Sequence, residues 1–259
     1  MTEPEHPLAG GNTGGAVRVG TTVRRPAGPW TPTVQRLLGH LRDRGLTWVP
    51  EPLGTDDRGR DTVGFLPGVV PQYPMPDWVW TDQVLVDVAR LLAAVHDASA
   101  DFDRTDAVWR LPPRTPAEVV CHGDFAPYNL VFVDGRPTGA VDWDTAVPGP
   151  RVWDLAYLAY RLVPLTGADD VAVPGDGLTA RARRLRMLCD TYGAGLPAAP
   201  GPAEVLGTVI ERLDVLARFT AARADEGHEA VRPHVALYRA DMQWVAAHAE
   251  RLAEPSADA

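Results

Sequence analysis

No lysine occurs anywhere in the 259 residues, isoleucine occurs once (Ile210) and asparagine twice, at Asn12 and Asn129. All 25 basic residues are therefore arginines, so chemistry that commonly uses a lysine amine falls to a guanidinium or is not done. The skew, alongside abundant Ala, Arg, Gly and Pro, fits a GC-rich coding background. Where asparagine is this scarce, the positions of its two copies are informative. Two cysteines, Cys121 and Cys189, cannot build a disulfide framework, and a reducing cytoplasm is the expected compartment. No apolar run approaches the ~20 residues that span a bilayer. The polar, Gly-rich stretch from Met1 to Gly15 lacks the basic-then-apolar order of a signal peptide. The net charge is -9 with no arginine-rich stripe, which argues against broad phosphate-backbone binding. Neither nucleic acid nor membrane is an expected partner. The acidity leaves room for a cationic small molecule, although it also serves solubility. No G-x-S-x-G elbow and no G-x-x-x-x-G-K-[ST] loop is present, which removes serine-hydrolase and P-loop readings.

What is present reads as a β-rich start followed by helices. Val17 to Val19 and Thr21 to Arg24 are β-prone runs split by Gly20. Thr33 to Arg44 sets Val34, Leu37, Leu38 and Leu41 at helical spacing. Val63 to Leu66 is a further strand, and Pro67 to Pro76, with four prolines, is a connector. A helix follows from Thr81 to His96, with Thr81 as N-cap. Three β-like pieces come next, Glu118 to Cys121, Leu130 to Val133 and Thr138 to Val141. Four helical patterns complete the chain, near 152–163, 178–192, 203–224 and 234–252. The order predicts an α+β fold with a small N-terminal lobe at 1–68 and a larger, mainly helical lobe at 69–259.

The segment that carries chemistry runs VVCHGDFAPYNLVFVDGRPTGAVDWD, from Val119 to Asp144. Two β-like runs flank Asp134-Gly135-Arg136-Pro137, a hairpin turn signal. If Asp134 pairs with Pro137, Asn129 falls opposite Asp142. An Asp-Gly loop instead shifts the pairing by two residues, still within side-chain reach. In both registers an amide and a carboxylate meet at the open end of the hairpin, a donor set suited to a hard divalent cation such as Mg²⁺. Asp124 lies in the loop that follows a strand, five residues before Asn129. Beside a metal-bound phosphate, such a carboxylate can take the proton of an attacking hydroxyl.

His122-Gly123-Asp124-Phe125-Ala126-Pro127-Tyr128-Asn129, followed by Val141-Asp142-Trp143-Asp144, resembles the catalytic and metal segments of the aminoglycoside phosphotransferase family. That family is a small-molecule branch of the protein-kinase-like fold. The resemblance implies a bilobal kinase-like fold and transfer of a γ-phosphoryl group from ATP or GTP, with Mg²⁺, to a small-molecule hydroxyl. It further implies Asp124 as the catalytic aspartate, His122 as the brace of its loop, and Asn129 and Asp142 as metal ligands. Asp154, at the head of the next helix, is implied to hold the catalytic loop; a plain carboxylate at a helix N-terminus is the simpler reading.

The N-terminal part matches the family less closely. Gly10 to Gly15 (GGNTGG) resembles the nucleotide loop, with Gly11 and Asn12 near phosphate. Thr22-Val23-Arg24-Arg25-Pro26 occupies the place of the strand whose lysine binds phosphates, and Arg24 is the expected substitute. The family's orienting helix glutamate falls at Val34 or Gln35, so that ion pair is expected to be absent. This departure leaves a second reading open, a kinase-like protein that binds nucleotide or a metabolite without turnover. A metal-dependent hydrolase ranks third. Gly64-Phe65-Leu66-Pro67-Gly68 resembles the inter-lobe hinge, with the main chain of Gly64 and Phe65 facing the adenine edge.

Other polar candidates have simpler uses. His96, His234 and His248 fit helix surfaces or caps, and Cys121 lacks zinc spacing. Asp144 is open to a water-mediated metal contact or to satisfying local backbone. Asp190, Glu211, Asp214, Asp225, Glu226 and Glu229 would suit a cationic acceptor, but a solvated helix face is the favoured reading. Trp78, Trp80 and Trp244 are candidates for pocket or core.

Overall fold

The computed structural model describes residues 4–8, 15–167 and 177–254. The chain forms two compact units, Met1–Pro76 with Ala93–Arg151, and Asp77–Leu92 with Val152–Ala259. These differ from the consecutive segments 1–68 and 69–259, because the segment that carries the catalytic motif belongs with the N-terminal sheet.

The first unit is built on a five-stranded antiparallel sheet. Its strands are β1 (His6–Pro7), β2 (Val17–Val19), β3 (Thr22–Arg25), β4 (Pro52–Thr55) and β5 (Asp61–Gly64), in the order β1-β2-β3-β5-β4. Helix α1 (Thr31–Asp43) buries Val34, Leu37, Leu38 and Leu41, the stripe that its spacing predicts. Each such side chain taken from water contributes roughly 1.5–3 kcal/mol. Strand β4 has no strand-like sequence: it contains Pro52, and Gly54 has φ +77°. It lies at the sheet edge, where a missing N–H is tolerated.

Two small ladders complete this unit. Strand β6 (Val119–Cys121) pairs antiparallel with β9 (Val147–Gly149). Strand β7 (Leu130–Val133) pairs with β8 (Arg136–Ala140) through a two-residue turn, Asp134-Gly135. Both turn residues have positive φ (50° and 73°), the conformation that gives a hairpin the correct twist. The register then shifts beside Phe132, because Pro137 has no N–H to donate and Phe132 exchanges both its main-chain bonds with Val69 on the other side. Gly68 makes this junction possible, since a Cβ there would lie 2.5 Å from Val131 and 2.6 Å from the Phe132 oxygen. The proline-rich connector is thereby stitched to the hairpin.

The second unit is helical. It takes the first part of α2 (Asp82–Ser99) and adds α3 (Arg151–Leu162) from Val152 onward, α4 (Leu178–Gly193), α5 (Pro202–Asp225) and α6 (Arg232–Ala253). Helix α3 is apolar nearly all round, with Trp153, Leu155, Ala156, Leu158, Ala159 and Leu162 buried. A helix of that pattern forms a centre rather than a surface. Two buried polar clusters fix its surroundings. Arg184, 1% exposed, donates to Asp82 (2.7 Å) and to the Leu162 oxygen (2.9 Å). Asp241 accepts from the hydroxyls of Tyr160 and Thr166, both at 2.6 Å. No helix among the described residues is long and apolar enough to cross a membrane.

Candidate active site

The loop after β6 is shaped by two residues that could hardly be others. Gly123 has φ +83°, and a Cβ on it would sit 2.2 Å from the Thr145 oxygen. His122 is fully buried. Its Nδ1 accepts the Asp124 N–H (3.2 Å), so Nε2 carries the proton and donates to the Val141 oxygen (3.0 Å). One imidazole thus ties the loop bearing Asp124 to the residue before Asp142. Thr145 adds a second tie, its hydroxyl donating to the His122 oxygen at 3.0 Å.

Asp124 is held from its own loop. Asn129 Nδ2 donates to the Asp124 carboxylate and to its main-chain oxygen, each at 2.9 Å, and the Tyr128 hydroxyl donates to the other carboxylate oxygen at 2.8 Å. The Asn129 amide oxygen takes part in neither of these bonds. The Val141 N–H donates to the main-chain oxygen of Asn129 (2.8 Å), so Asn129 stands opposite Val141, and Asp142 is one residue further on. Neither register expected from the sequence is the one formed. The turn is the Asp-Gly one, and the shift beside Phe132 moves the partner by one residue. Asp124, Asn129 and Asp142 nevertheless belong to one bonded assembly.

Asp142 has φ 62° and ψ 59°, a left-handed conformation uncommon outside glycine that aspartate and asparagine adopt more readily than most. Its side chain is 43% exposed, and among the described residues only its Oδ1 has a charged partner, accepting a long hydrogen bond from Arg25 Nη1 at 3.4 Å. A half-open carboxylate and a neutral amide oxygen, carried by residues one step apart in the hairpin register, are a fitting donor pair for Mg²⁺, which takes oxygen ligands and retains waters. The residues therefore fit the metal that the motif implies.

The cation facing this pair is Arg25, not Arg24. Alternation along β3 sends the two side chains to opposite faces. Arg24 points to Asp56 (3.6 Å). Arg25 bonds Asp61 (2.8 Å) and Asp144 (2.7 Å) as well as Asp142. Arg110 also approaches Asp144 (3.8 Å) and lies over the Trp30 ring. Burial acts to lower the Arg25 pKa, but Asp144, Asp61 and Asp142 together hold it above the ordinary arginine value. Burial pushes the Asp144 carboxyl upward despite the opposing pull of Arg25. Asp144 thus serves the ion-pair cluster rather than local backbone.

Helix α1 carries no glutamate, and Gln35 is the α1 residue that reaches this cluster. Its Nε2 bonds Asp61 (2.5 Å) and the Thr62 oxygen (3.0 Å), and its Oε1 accepts from the Gly54 N–H (3.0 Å). At the expected hinge, Gly64 and Phe65 use the donor side of their main chain within the sheet. Their N–H groups are already committed, to the Glu51 oxygen and the Thr21 oxygen, each at 2.8 Å. The Phe65 ring is covered by the Arg18 guanidinium, 3.9 Å from its centre. Gly11 and Asn12 lie outside the described residues. Asp154 is fully buried in the first turn of α3.

Sequence reasoning missed Asp61 and Arg25. The signal that could have found them was the pair of adjacent arginines in β3 together with a lone aspartate at the start of the partner strand. Of the acidic acceptor candidates, Asp214 pairs with Arg218, and Asp225 and Glu229 both pair with Arg232. Those three belong to solvated helix faces. Trp80 is core, and Trp244 stacks on His248 under Arg181.

Comparison with known proteins bears on this site. The model of the phosphotransferase enzyme family matches residues 79–201, which include the whole catalytic segment. The trifolitoxin immunity protein of Rhizobium leguminosarum bv. trifolii is 34% identical over 194 residues, covering 72% of this chain and 73% of that protein. The chain belongs to the phosphotransferase enzyme family. A more local likeness is to an Escherichia coli aminoglycoside 3'-phosphotransferase, 37% identical over 90 residues, 30% of this chain and 33% of that one. In fold, the chain is similar to the amicoumacin kinase hAmiN, solved in complex with AMP-PNP, Ca²⁺ and Ami. That structure has a TM-score of 0.62 at 10% identity, covering 92% of this chain and 87% of that one. The phosphotransferase chain is thus α+β with the kinase-like fold, a small sheet and a larger helical part, and its family acts on small molecules.

Proposed function

We propose that the protein transfers the γ-phosphoryl group of ATP or GTP to a hydroxyl of a small molecule, with a cationic amino-alcohol such as an aminoglycoside the first acceptor to test. The observation that supports this most is the bonded set Asp124, Asn129 and His122, tied through the Val141 main chain to the residue before the half-open Asp142. Asp124 is oriented by two donors and takes the proton of the attacking hydroxyl. Asn129 and Asp142 are the residues to hold Mg²⁺, which when bound neutralises charge on the transferring phosphate. Arg25 supplies fixed positive charge on the nucleotide side. The main-chain oxygen of Phe65 and the main chain of Leu66 make no hydrogen bond among the described residues and are the groups left to read the base. Positioning and charge neutralisation are the main demands of this chemistry, and both fall to residues on one framework.

The alternative of a binder without turnover drew its support from the absent helix glutamate. The contact of Asp61 with Arg25 weakens that ground. The similarity to hAmiN, whose complex contains AMP-PNP and Ca²⁺, favours a nucleoside triphosphate donor. The same reading has the protein act in the cytoplasm, where Cys121 and Cys189 remain free thiols. The test is nucleotide consumption with ATP and with GTP across aminoglycosides and other amino-alcohols, wild type beside Asp124→Ala. Acceptor-dependent turnover lost in the variant supports the reading. Turnover that survives unchanged refutes the mechanism, and saturable Mg-nucleotide binding with no turnover across the panel favours the binder.

A further inference from the structure

Arg25 is a buried cation whose direction matters, because one of its neighbours is the candidate metal ligand Asp142. Helix α1 cannot hold it with a carboxylate: its only acidic residue is Asp43, at the last position. The holding group comes from the sheet. Arg25 and Asp61 are direct partners across β3 and β5. The pair meets at Nε, 2.8 Å from Oδ2, and the Asp61 side chain is 2% exposed. The other oxygen, Oδ1, receives Gln35 Nε2 at 2.5 Å. Gln35 is in turn fixed by Thr62 on β5 and by Gly54 on β4.

The division of the guanidinium follows from this. Its Nε edge is taken by Asp61, and its two Nη groups face the Asp142–Asp144 turn. The contact with Asp142 is the longest of the three, 3.4 Å against 2.8 Å and 2.7 Å. Pair attraction falls with distance, so Asp142 is the least firmly engaged of the three carboxylates. Without Asp61, Arg25 would be drawn fully onto the hairpin, and Asp142 would then be engaged by arginine instead of remaining open. Arg24, on the opposite face, has its own carboxylate in Asp56 and cannot take over the task.

We propose that Asp61 is the positioning residue of the nucleotide end, holding Arg25 by its Nε edge so that the cation faces phosphate while Asp142 stays open, with Gln35 fixing the Asp61 carboxylate. This rests on the proposed phosphotransferase reading and assigns the orienting carboxylate to a strand rather than to the helix.

The experiment is calorimetric titration with Mg-ATP, and with ATP in EDTA, of the wild type, Asp61→Asn and the double variant Asp61→Asn/Gln35→Glu. Each is accompanied by a thermal melt. Removing one member of a buried charged pair should weaken Mg-ATP binding about tenfold or more, with a smaller loss for metal-free ATP. The double variant returns a carboxylate one side chain away and should recover much of the affinity. Asp61→Asn that melts cooperatively and binds Mg-ATP like the wild type overturns the proposal. So does a loss of equal size with and without metal that the double variant leaves unrepaired, since Asp61 would then be a structural residue only. Should Asp61→Asn not fold, Gln35→Ala must also weaken Mg-ATP, and unchanged affinity there overturns the proposal. Failure of the wild type to bind Mg-ATP would instead strike the phosphotransferase reading itself.

Discussion

The side-chain nitrogen of Asn129 lies 2.9 Å from a carboxylate oxygen of Asp124 and 2.9 Å from the main-chain oxygen of the same residue. The residue assigned to metal is therefore also the residue that orients the base. Asn129→Leu should remove both services at once, whereas Asp124→Asn removes only the base. We expect Asp124→Asn to lower kcat by about 10²–10⁴-fold with nucleotide affinity retained. Asn129→Leu should lower kcat and raise the KM for Mg-nucleotide together. Steady-state kinetics on the two variants separates these outcomes; an Asn129 variant with an unchanged KM would remove it from the metal.

Gly123→Ala should destabilise the protein although a methyl group is all that is added. The residue has φ +83°, and its Cβ would meet a main-chain oxygen at 2.2 Å. Strain of this kind costs about 1–3 kcal/mol, and the loop must move to relieve it. A lower Tm accompanied by loss of turnover is the expected result. Wild-type activity in the alanine variant would mean that the loop is not rigid.

In the helical unit, Asp82→Ala leaves Arg184 buried with only the Leu162 oxygen as partner. Breaking a fully buried pair costs about 3–5 kcal/mol. Asp82 is 43% exposed, so solvent offsets part of that, and about 2 kcal/mol is expected. Denaturant unfolding of the variant measures it directly. Arg184→Met should cost less than Asp82→Ala, because it removes the charge instead of stranding it.

Neither thiol should react in the native protein. Cys121 is fully buried, and burial pushes the Cys189 thiol up to about 12. Only the thiolate is nucleophilic, so at pH 8 its fraction is negligible. A chromogenic disulfide reagent should titrate no fast thiol in buffer and two in denaturant. One fast native thiol would contradict the packing around α4 or β6.

Much of this architecture was legible because its signals are local. The stripe Val34, Leu37, Leu38 and Leu41 fixes α1 within two residues, and the five helices after it follow their apolar spacing. The motif residues Asp124, Asn129 and Asp142 are likewise close in sequence. What could not be read depends on partners far along the chain. Whether Arg24 or Arg25 faces the hairpin is a question of register, and a slip of one residue exchanges the faces. The deciding partner, Asp61, lies 36 residues away. The engagement of the Gly64 and Phe65 N–H groups is equally non-local, since nothing nearby in sequence shows Glu51 and Thr21 claiming them. Strand β4 was missed because Pro52 and Gly54 carry no strand signal; its partner β5 imposes the conformation.

A chain without lysine also changes what chemical probes can see. Nucleotide reagents that acylate an active-site amine would find no side chain to modify in this chain, since every basic residue is arginine. Surveys of cellular kinases that depend on such labelling would pass the protein over, however active it was.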